Sequence, residues 1–217
     1  MARPRTDIRP RILDAARARF LADGVDGASL RAIARDAATS IGMVYYYFPT
    51  KDDLFFGVVE DVYATLMADL EQALAQDAGF EARIRSLYQR IAHMSAVEGD
   101  IFRLVVREAL VSSDRLGRLV ERFKRGHVAL LLRVVTEGRQ EGALATDVPL
   151  PIAVIATGVF GAAPQIILRA LGAKSPFGGA VEAGDALVGQ LLRVLLGGIG
   201  SPPPTADSPP KPSRKLR

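Results

Sequence analysis

Three adjacent tyrosines, Tyr45, Tyr46 and Tyr47, form the densest group of side chains suited to specific contacts in this sequence. The chain has five tyrosines, so most of its phenol groups lie in the stretch "VYYYF". Successive helical residues point about 100° apart, so three neighbouring rings cannot all enter one core. Exposed rings and hydroxyls can contact sugar, phosphate and base edges of a duplex. The stretch therefore predicts a binding surface on a helix.

Reactive side chains are scarce elsewhere. The chain has no cysteine, which excludes thiol chemistry and disulfides. Its two histidines, His93 and His127, are too few for a histidine-based metal site, and no carboxylate cluster surrounds either one. No phosphate-binding glycine motif and no convincing acid–base pair is present. The sequence predicts no catalytic residue, no metal, no cofactor and no enzymatic activity.

The charge distribution points to a polyanionic partner. Residues 1–20 carry six arginines and two aspartates, and residues 201–217 carry four basic residues and one aspartate. With a net charge of +4 for the whole chain, residues 21–200 are left with −3. A basic arm, residues 1–8, thus precedes a mildly acidic body and is expected either to contact DNA or to be a solvated leader. It has no apolar core and is not a secretion signal, so a cytoplasmic location is expected.

The tyrosines are predicted to be positioned by three helices, the second and third of them short, in an all-α fold. The first helix ends at Asp23-Gly24, since glycine accepts the left-handed conformation. Ser29 is predicted to cap a second helix, Leu30 to Asp36 or Ala37. A turn at Ala38-Thr39 leads to a third helix that begins at Thr39 or Ser40 and ends at Pro49. The residues predicted to face the core are Ile12, Leu13, Ala16, Phe20, Leu21, Leu30, Ile33, Ala34, Ala37, Ile41, Val44 and Phe48.

Two short helices braced by a first form a helix-turn-helix, here about residues 29–48 within a domain 9–54. The second short helix of such a unit enters the major groove. Gly42 then allows close approach to DNA, whereas Tyr47 is expected to pack on neighbouring helices. Thr50 and Asp53 have the spacing of a capping box for a long fourth helix.

At this point the sequence resembles the DNA-binding domain of TetR-family transcriptional regulators, over about residues 6–66. The resemblance lies in "ILDAARARFLADGVDGASLRAIARDAATSIGMVYYYFPTKDDLF". It comprises Gly24, Ile33-Ala34, Ser40-x-Gly42, Tyr45-x-Tyr47-Phe48, and Lys51 with Leu54. The family's usual turn Ala-Gly-Val-Ser reads Ala37-Ala38-Thr39-Ser40 here. Ala38 consequently places a Cβ where φ is expected to be positive, at a cost of about 1 kcal/mol.

The resemblance implies a role for each matching position. Tyr45 and Lys51 correspond to residues that hold backbone phosphates, and an anion at Lys51 also meets the amino end of the fourth helix. Ser29 and Thr39 correspond to phosphate-contacting or capping positions. The positions that reach base edges are Arg31, Ser40, Ile41, Gly42, Met43 and Tyr46.

Residues 55–200 predict a second, helical domain for ligand sensing and dimerisation. Helices are expected at 51–75, 80–96, 100–112, 114–139, 151–171 and 181–199. The segment 148–168 has no charge over 21 residues, long enough to span a bilayer, but it contains three prolines and Gln165. We therefore expect a second copy of the chain, and not a membrane, to cover this apolar segment. The last two helices of each subunit would form a four-helix homodimer interface. The small residues expected there are Gly158, Gly161, Ala162 and Gly189. The Pro-rich tail 201–217 is expected to be disordered.

The family implies a small-molecule effector, and an apolar pocket would suit a lipophilic one. The candidate pocket residues are His93, Met94, Phe102, Arg103, Arg107, Phe123, His127, Phe160 and Gln165, each of which could equally be core or a satisfied polar group. The function expected is a repressor released from a palindromic double-stranded operator by that effector. The alternative is a non-specific architectural DNA-binding protein without effector control.

Overall fold

The computed structural model describes residues 8–75, 78–174, 176, 181 and 183–197. Over these residues the chain forms ten α-helices and no strand, which confirms the all-α prediction. The tail 201–217 and arm residues 1–7 lie outside the described residues. The helices are α1 (Ile8–Gly27), α2 (Leu30–Asp36), α3 (Ile41–Tyr47), α4 (Lys51–Leu74), α5 (Phe80–Ala92), α6 (Ala96–Val111), α7 (Ser113–Arg125), α8 (His127–Gln140), α9 (Leu150–Leu171) and α10 (Asp185–Gly197).

The amino-terminal head consists of α1 to α3 and the first turns of α4. Ile12, Ala16 and Phe20 are fully buried, as their spacing predicts. The helix is interrupted at Gly24, whose φ of 79° and ψ of 166° fall in a region that essentially only glycine adopts. Val25 then returns into the core, where its backbone N–H donates to Glu108. The α1 ending therefore depends on both Gly24 and a carboxylate of α6.

The core of the head continues into the rest of the molecule. Ile101, Leu104 and Leu119, from α6 and α7, belong to the same buried cluster as the head residues. A second cluster joins the distal half of α4 to α5, α8, α9 and α10 around Tyr88, which is fully buried. Since α4 contributes to both clusters, it connects the head to the body.

An ion-pair network lies at the junction of head and body. Arg115 on α7 donates to Glu108 on α6 at 2.8 Å, to Asp52 on α4 at 3.0 Å, and to both carboxylate oxygens of Asp26 in the α1 terminus. Its side chain is only 7% exposed, and that of Glu108 only 3%. This arginine links three elements from both parts of the chain.

The predicted helix 114–139 is wrong, because the chain breaks at Gly126 into α7 and α8. A Cβ at Gly126 would lie 2.1 Å from the hydroxyl oxygen of Tyr63, so only glycine fits. The Tyr63 hydroxyl accepts the backbone N–H of His127 at 3.1 Å. The predicted helix 80–96 ends earlier, at Ala92, and the helix predicted at 100–112 starts earlier, at Ala96. Both differences arise because Ser95 and Glu98 form a capping box that the sequence analysis did not predict. Helix 181–199 begins later, at Asp185.

One described helix, α9, is long and apolar enough to cross a membrane by length and composition, with a mean hydropathy of 1.8. Its inner face packs on the body: Val154, Thr157, Gly161 and Gln165 are buried. The Gln165 amide donates to the carbonyl of Gly184 at 3.1 Å and accepts its N–H at 2.8 Å. Only 22% of the most apolar window is buried within the chain, so the opposite face is open.

Candidate nucleic-acid interface

The helix α3 is held by a short set of local contacts. Ser40 caps it and accepts the N–H of Met43 at 3.2 Å. Val44 is fully buried and Phe48 nearly so, which fixes the inner side of the helix. Phe48, before Pro49, is extended with φ −137°, as a residue preceding proline prefers. A rigid helix of seven residues thus projects from the head.

The tyrosines divide between the surface and the head. Tyr45 is 51% exposed and Tyr46 76% exposed. Tyr47 is half-buried and packs against the head core, with its ring edge-to-face on Tyr46 at 5.2 Å between centroids. The packing role expected for Tyr47 is confirmed. The surface therefore presents two phenols, of which Tyr46 packs against the half-buried Tyr47.

Gly42 lies in open space on the outer side of α3. A Cβ placed there would meet only the Ser40 Oγ, at 3.8 Å, which is ordinary contact. The fold of the chain itself does not require glycine at this position. A glycine that packing does not demand is consistent with close approach by an external surface.

Lys51 combines a structural contact with a free cationic surface. Its Nζ donates to the carbonyl of Asp26 at 2.8 Å, at the end of α1. An ammonium has three donors, so two remain for a phosphate. The amino end of α4 is less open to an anion than expected, because Thr50 and Asp53 form the predicted capping box and Asp52 adds a second carboxylate. Hydrogen bonds from the Thr50 hydroxyl and amide lower the pKa of Asp53, which keeps that carboxylate ionised.

The other predicted DNA-binding residues differ in their exposure and in their contacts within the head. Arg31 is exposed, and Ser29 accepts the N–H of Ala32 at 3.4 Å as the cap of α2. Thr39 and Met43 are half-buried. Ile41 is also half-buried and packs on the head core, so this side chain stabilises the position of α3.

Arg9 and Arg11 are the first two described arginines after the basic arm, and both lie in the first turns of α1. The guanidinium of Arg9 lies 5.7 Å from the centre of the Phe48 ring and 3.9 Å from Asp61. Arg11 donates to the carbonyls of Ala37 and Ala38 in the turn between α2 and α3. Both arginines are thus engaged with the head in this structure.

The structure does not bring the nine predicted pocket residues together. His93 caps the end of α5 and is exposed, while Met94 follows it and is half-buried, its carbonyl accepting from Arg169. Phe102 is exposed, and Arg103 is exposed and paired with Asp100. Neither of two surface clefts, of about 460 and 370 Å³, contains any of the nine.

Several of the remaining candidates have structural partners. Arg107 donates to the carbonyls of Phe20 and Leu21 at the end of α1. Gln165 is paired with the backbone of Gly184, as described above. Phe160 is half-buried against the second cluster. These three side chains stabilise the fold as found.

Phe123 and His127 do meet, around a residue that sequence reasoning missed. Tyr63 lies with its ring 5.5 Å from Phe123 and its hydroxyl 2.8 Å from the His127 Nδ1. Burial lowers the pKa of His127, and the nearby charge of Arg122 lowers it further. The imidazole is therefore held neutral, with Nδ1 as acceptor for the tyrosine. Tyr63 lies near the middle of α4, and no motif in the sequence marked it as a partner of His127.

Two of the four residues expected at a dimer interface face inward instead. A Cβ at Gly161 would lie 2.3 Å from the Tyr88 ring, and one at Gly158 would lie 3.1 Å from Leu131. These glycines allow close packing within the chain. Ala162 is half-buried, and no atom lies within 4 Å of a Cβ built at Gly189.

Comparison with known proteins agrees with this geometry. Residues 12–58 match the family model described as bacterial regulatory proteins, tetR family. The chain is 28% identical over 142 residues to the HTH-type transcriptional repressor SCO4008 of Streptomyces coelicolor, covering 65% of this chain and 69% of that protein. It is 23% identical over 133 residues to the fatty acid metabolism regulator protein of Bacillus subtilis, covering 60% and 68% respectively.

A solved structure shows the same fold over most of the chain. The transcriptional regulator FadR from Bacillus subtilis, in complex with stearoyl-CoA, superposes with a TM-score of 0.71 at 17% identity, covering 88% of this chain and 99% of FadR. The match thus extends beyond the head to the helical body. Residues 12–58 thus carry the DNA-binding domain of the tetR family, and the curated relatives to which the longer chain is similar are transcriptional regulators.

Proposed function

We propose that this chain binds a roughly palindromic DNA operator as a homodimer and acts as a repressor that a lipophilic effector releases. The observation that carries the proposal is the outer side of α3, where exposed Tyr45 and Tyr46 adjoin a glycine that the fold does not require. Buried Val44 and Phe48 hold that side in a fixed orientation. A rigid, polar-edged helix of this kind suits the major groove.

Within the interface, phosphate contacts and base contacts fall to different residues. Tyr45 and Lys51 supply a hydroxyl and an ammonium, which contact the backbone of any sequence. Met43 and Tyr46 offer mainly apolar surface suited to thymine methyl groups. Tyr45→Phe and Lys51→Ala are therefore expected to weaken binding to all duplexes alike, whereas Met43→Ala and Tyr46→Ala change the preferred sequence.

Selection of bound duplexes from a random-sequence library tests this division. The selected duplex and an unrelated duplex are then titrated with each variant over a range of salt concentrations. A preferred site that changes only with Met43→Ala or Tyr46→Ala supports the proposal. If no sequence is enriched and affinity follows salt alone, the chain is an architectural DNA-binding protein instead.

The open face of α9 supports the homodimer. Ile152, Ile155 and Val159 are each more than half exposed and stand at i, i+3 and i+7, opposite the inner face of the helix. An apolar stripe on a helix is normally covered, and a second copy of the chain covers it by two-fold symmetry. Two heads then read two half-sites, about 34–36 Å apart when these are one helical turn apart.

Ile155→Glu tests the interface. A carboxylate at the centre of an apolar contact is expected to convert the dimer to monomers in sedimentation experiments and to weaken operator binding. Leu110→Glu is the matched control, because Leu110 is 84% exposed but lies on α6, away from α9. Equal dissociation by both variants would place the interface elsewhere.

The effector is proposed to be a fatty acyl-CoA or a similar amphipathic lipid. The relative named for fatty acid metabolism and the apolar body around Tyr88 support that class. The effector acts by differential affinity, binding better to a body conformation whose head spacing fits the operator poorly. Stearoyl-CoA added to the protein–operator complex is expected to release the duplex, with free coenzyme A as the control. Continued binding at saturating stearoyl-CoA would exclude this effector class.

A further inference from the structure

The turn between α2 and α3 contains an unfavourable residue at its key position. The N–H of Thr39 bonds to the carbonyl of Ala34 at 2.9 Å, and that of Ala38 bonds to Arg35 at 3.0 Å. This is the hydrogen-bond pattern of a Schellman motif, in which the residue after the helix cap takes a left-handed conformation. Ala38 occupies that place with φ 47°, the single positive φ outside glycine among the described residues. Glycine normally stands there because a Cβ is disfavoured.

Arg11 of α1 contacts this turn directly. Its Nη2 donates to the carbonyl of Ala38 at 2.6 Å and also to the carbonyl of Ala37. One Nη carries two protons, so a single nitrogen can satisfy both carbonyls. These are charge-assisted hydrogen bonds to backbone groups that the end of α2 leaves without helical partners. Arg11 therefore fixes the two peptide units on either side of the left-handed Ala38.

The position of α3 depends on this turn. Ser40, the cap of α3, lies only two residues beyond Ala38, so a change in the Ala38 dihedral angles rotates the whole helix. A second contact across the same elements, from Arg19 to Asp36 at 2.7 Å, secures the end of α2 but reaches no atom of the turn itself. Among the described contacts, Arg11 is the side chain that holds the turn carbonyls.

We propose that Arg11 is a positioning residue for DNA recognition: it compensates for alanine at the left-handed turn position and so sets the angle of α3, instead of serving as a phosphate contact. The role rests on the operator binding proposed above. It assigns to this arginine an effect on sequence preference, which a phosphate contact does not have.

The test combines Arg11→Met with Ala38→Gly. Arg11→Met is expected to lower affinity for the selected duplex about tenfold, with affinity for the unrelated duplex unchanged within about twofold relative to Arg17→Met. Arg17 is the matched control, since it lies on the same helix and pairs locally with Asp14. In the Ala38→Gly background the loss from Arg11→Met is expected to fall below about threefold, because glycine adopts the turn unaided.

Two results would overturn the role. A phosphate contact would weaken both duplexes equally and reduce the slope of log affinity against log salt by about 0.9. An equal loss from Arg11→Met in the wild-type and the Ala38→Gly backgrounds would show that Arg11 does not act through the turn. If Arg11→Met proves unstable, Arg11→Lys is measured in its place, because the lysine side chain is one atom shorter and its ammonium falls short of the position of Nη2. The same two comparisons, between duplexes and between turn backgrounds, then decide.

Hydrogen exchange in the free protein separates this role from the proposed function. The Thr39 amide is expected to exchange faster in Arg11→Met than in wild type or Arg17→Met, and to recover in the double variant with Ala38→Gly. Unchanged exchange would exclude the turn contact even if an operator is found. If no duplex is enriched but exchange behaves as expected, operator binding fails while the hold of Arg11 on the turn remains.

Discussion

Replacing Arg115 with methionine should test whether head and body are joined by a buried ion pair. The Arg115 side chain is 7% exposed and contacts Glu108, Asp52 and Asp26. Methionine is an uncharged side chain of comparable length. Once Arg115 is replaced, the Glu108 carboxylate still accepts hydrogen bonds from the Val25 N–H and, at 3.3 Å, from Arg107. Removing one partner of a buried pair costs about 3–5 kcal/mol, and these remaining partners place the expected loss near 3 kcal/mol.

The magnitude can be checked against an exposed pair on the same helix. Arg122 binds Glu60 through two hydrogen bonds of 2.7 Å, but both side chains are more than one third exposed. Exposed pairs are worth about 0–1 kcal/mol, so Arg122→Met should change stability little. The comparison sets a buried arginine with three carboxylate partners against a more exposed arginine with one.

Calorimetry of both variants at one protein concentration provides the measurement. For a chain of this size each 1 kcal/mol shifts Tm by about 2–4 °C, so Arg115→Met should lower Tm by about 6–12 °C. Arg122→Met should lower it by no more than about 4 °C. Equal shifts for the two variants would refute the view that the junction depends on the buried network.

Three further predictions concern single contacts. Gly161→Ala should lower the free energy of unfolding by about 1–3 kcal/mol, because its Cβ meets the Tyr88 ring, and should leave the proposed homodimer intact; urea unfolding and sedimentation check both parts, and monomer formation by this variant alone would contradict it. Burial lowers the pKa of His127 below its ordinary 6.5, so the unfolded chain binds more protons and stability should fall as pH drops from about 7 through 6.5. His127→Asn keeps an acceptor for Tyr63 and should reduce the difference in free energy of unfolding between about pH 7 and about pH 5.5, measured by urea titration. An unchanged difference would show that His127 is not the group responsible. Thr50→Ala should cost about 1 kcal/mol through loss of the α4 cap, measured by the urea midpoint; no change would mean the cap is dispensable.

The head could be predicted from the sequence because its determinants are local. Ser29, Ser40 and Thr50 each cap the helix that follows within three residues, and Gly24 marks a chain reversal by its own conformational freedom. The positive φ of Ala38 was also expected, from the glycine that the family carries there. In each case the residue and its effect lie within one turn of chain.

The body was less predictable because its determinants are distant in sequence. At the break between α7 and α8, Gly126 packs against Tyr63, which lies 63 positions earlier on another helix. Gly161 resembled an interface residue by its size, yet its neighbour is Tyr88 of α5. Gln165 resembled a pocket residue, yet its amide is paired with the backbone of Gly184. Periodicity shows that a face is apolar but not which surface covers it.

The length of α4 gives small motions in the body a large effect at the head. This helix runs unbroken for 24 residues, about 36 Å at 1.5 Å per residue. A tilt of about 5° pivoting on its distal end displaces the amino end by about 3 Å, comparable with the roughly 3.4 Å step between base pairs. In the proposed homodimer, a lever of this length would convert a displacement of less than a side-chain width in the body into a shift of about one base pair at each head.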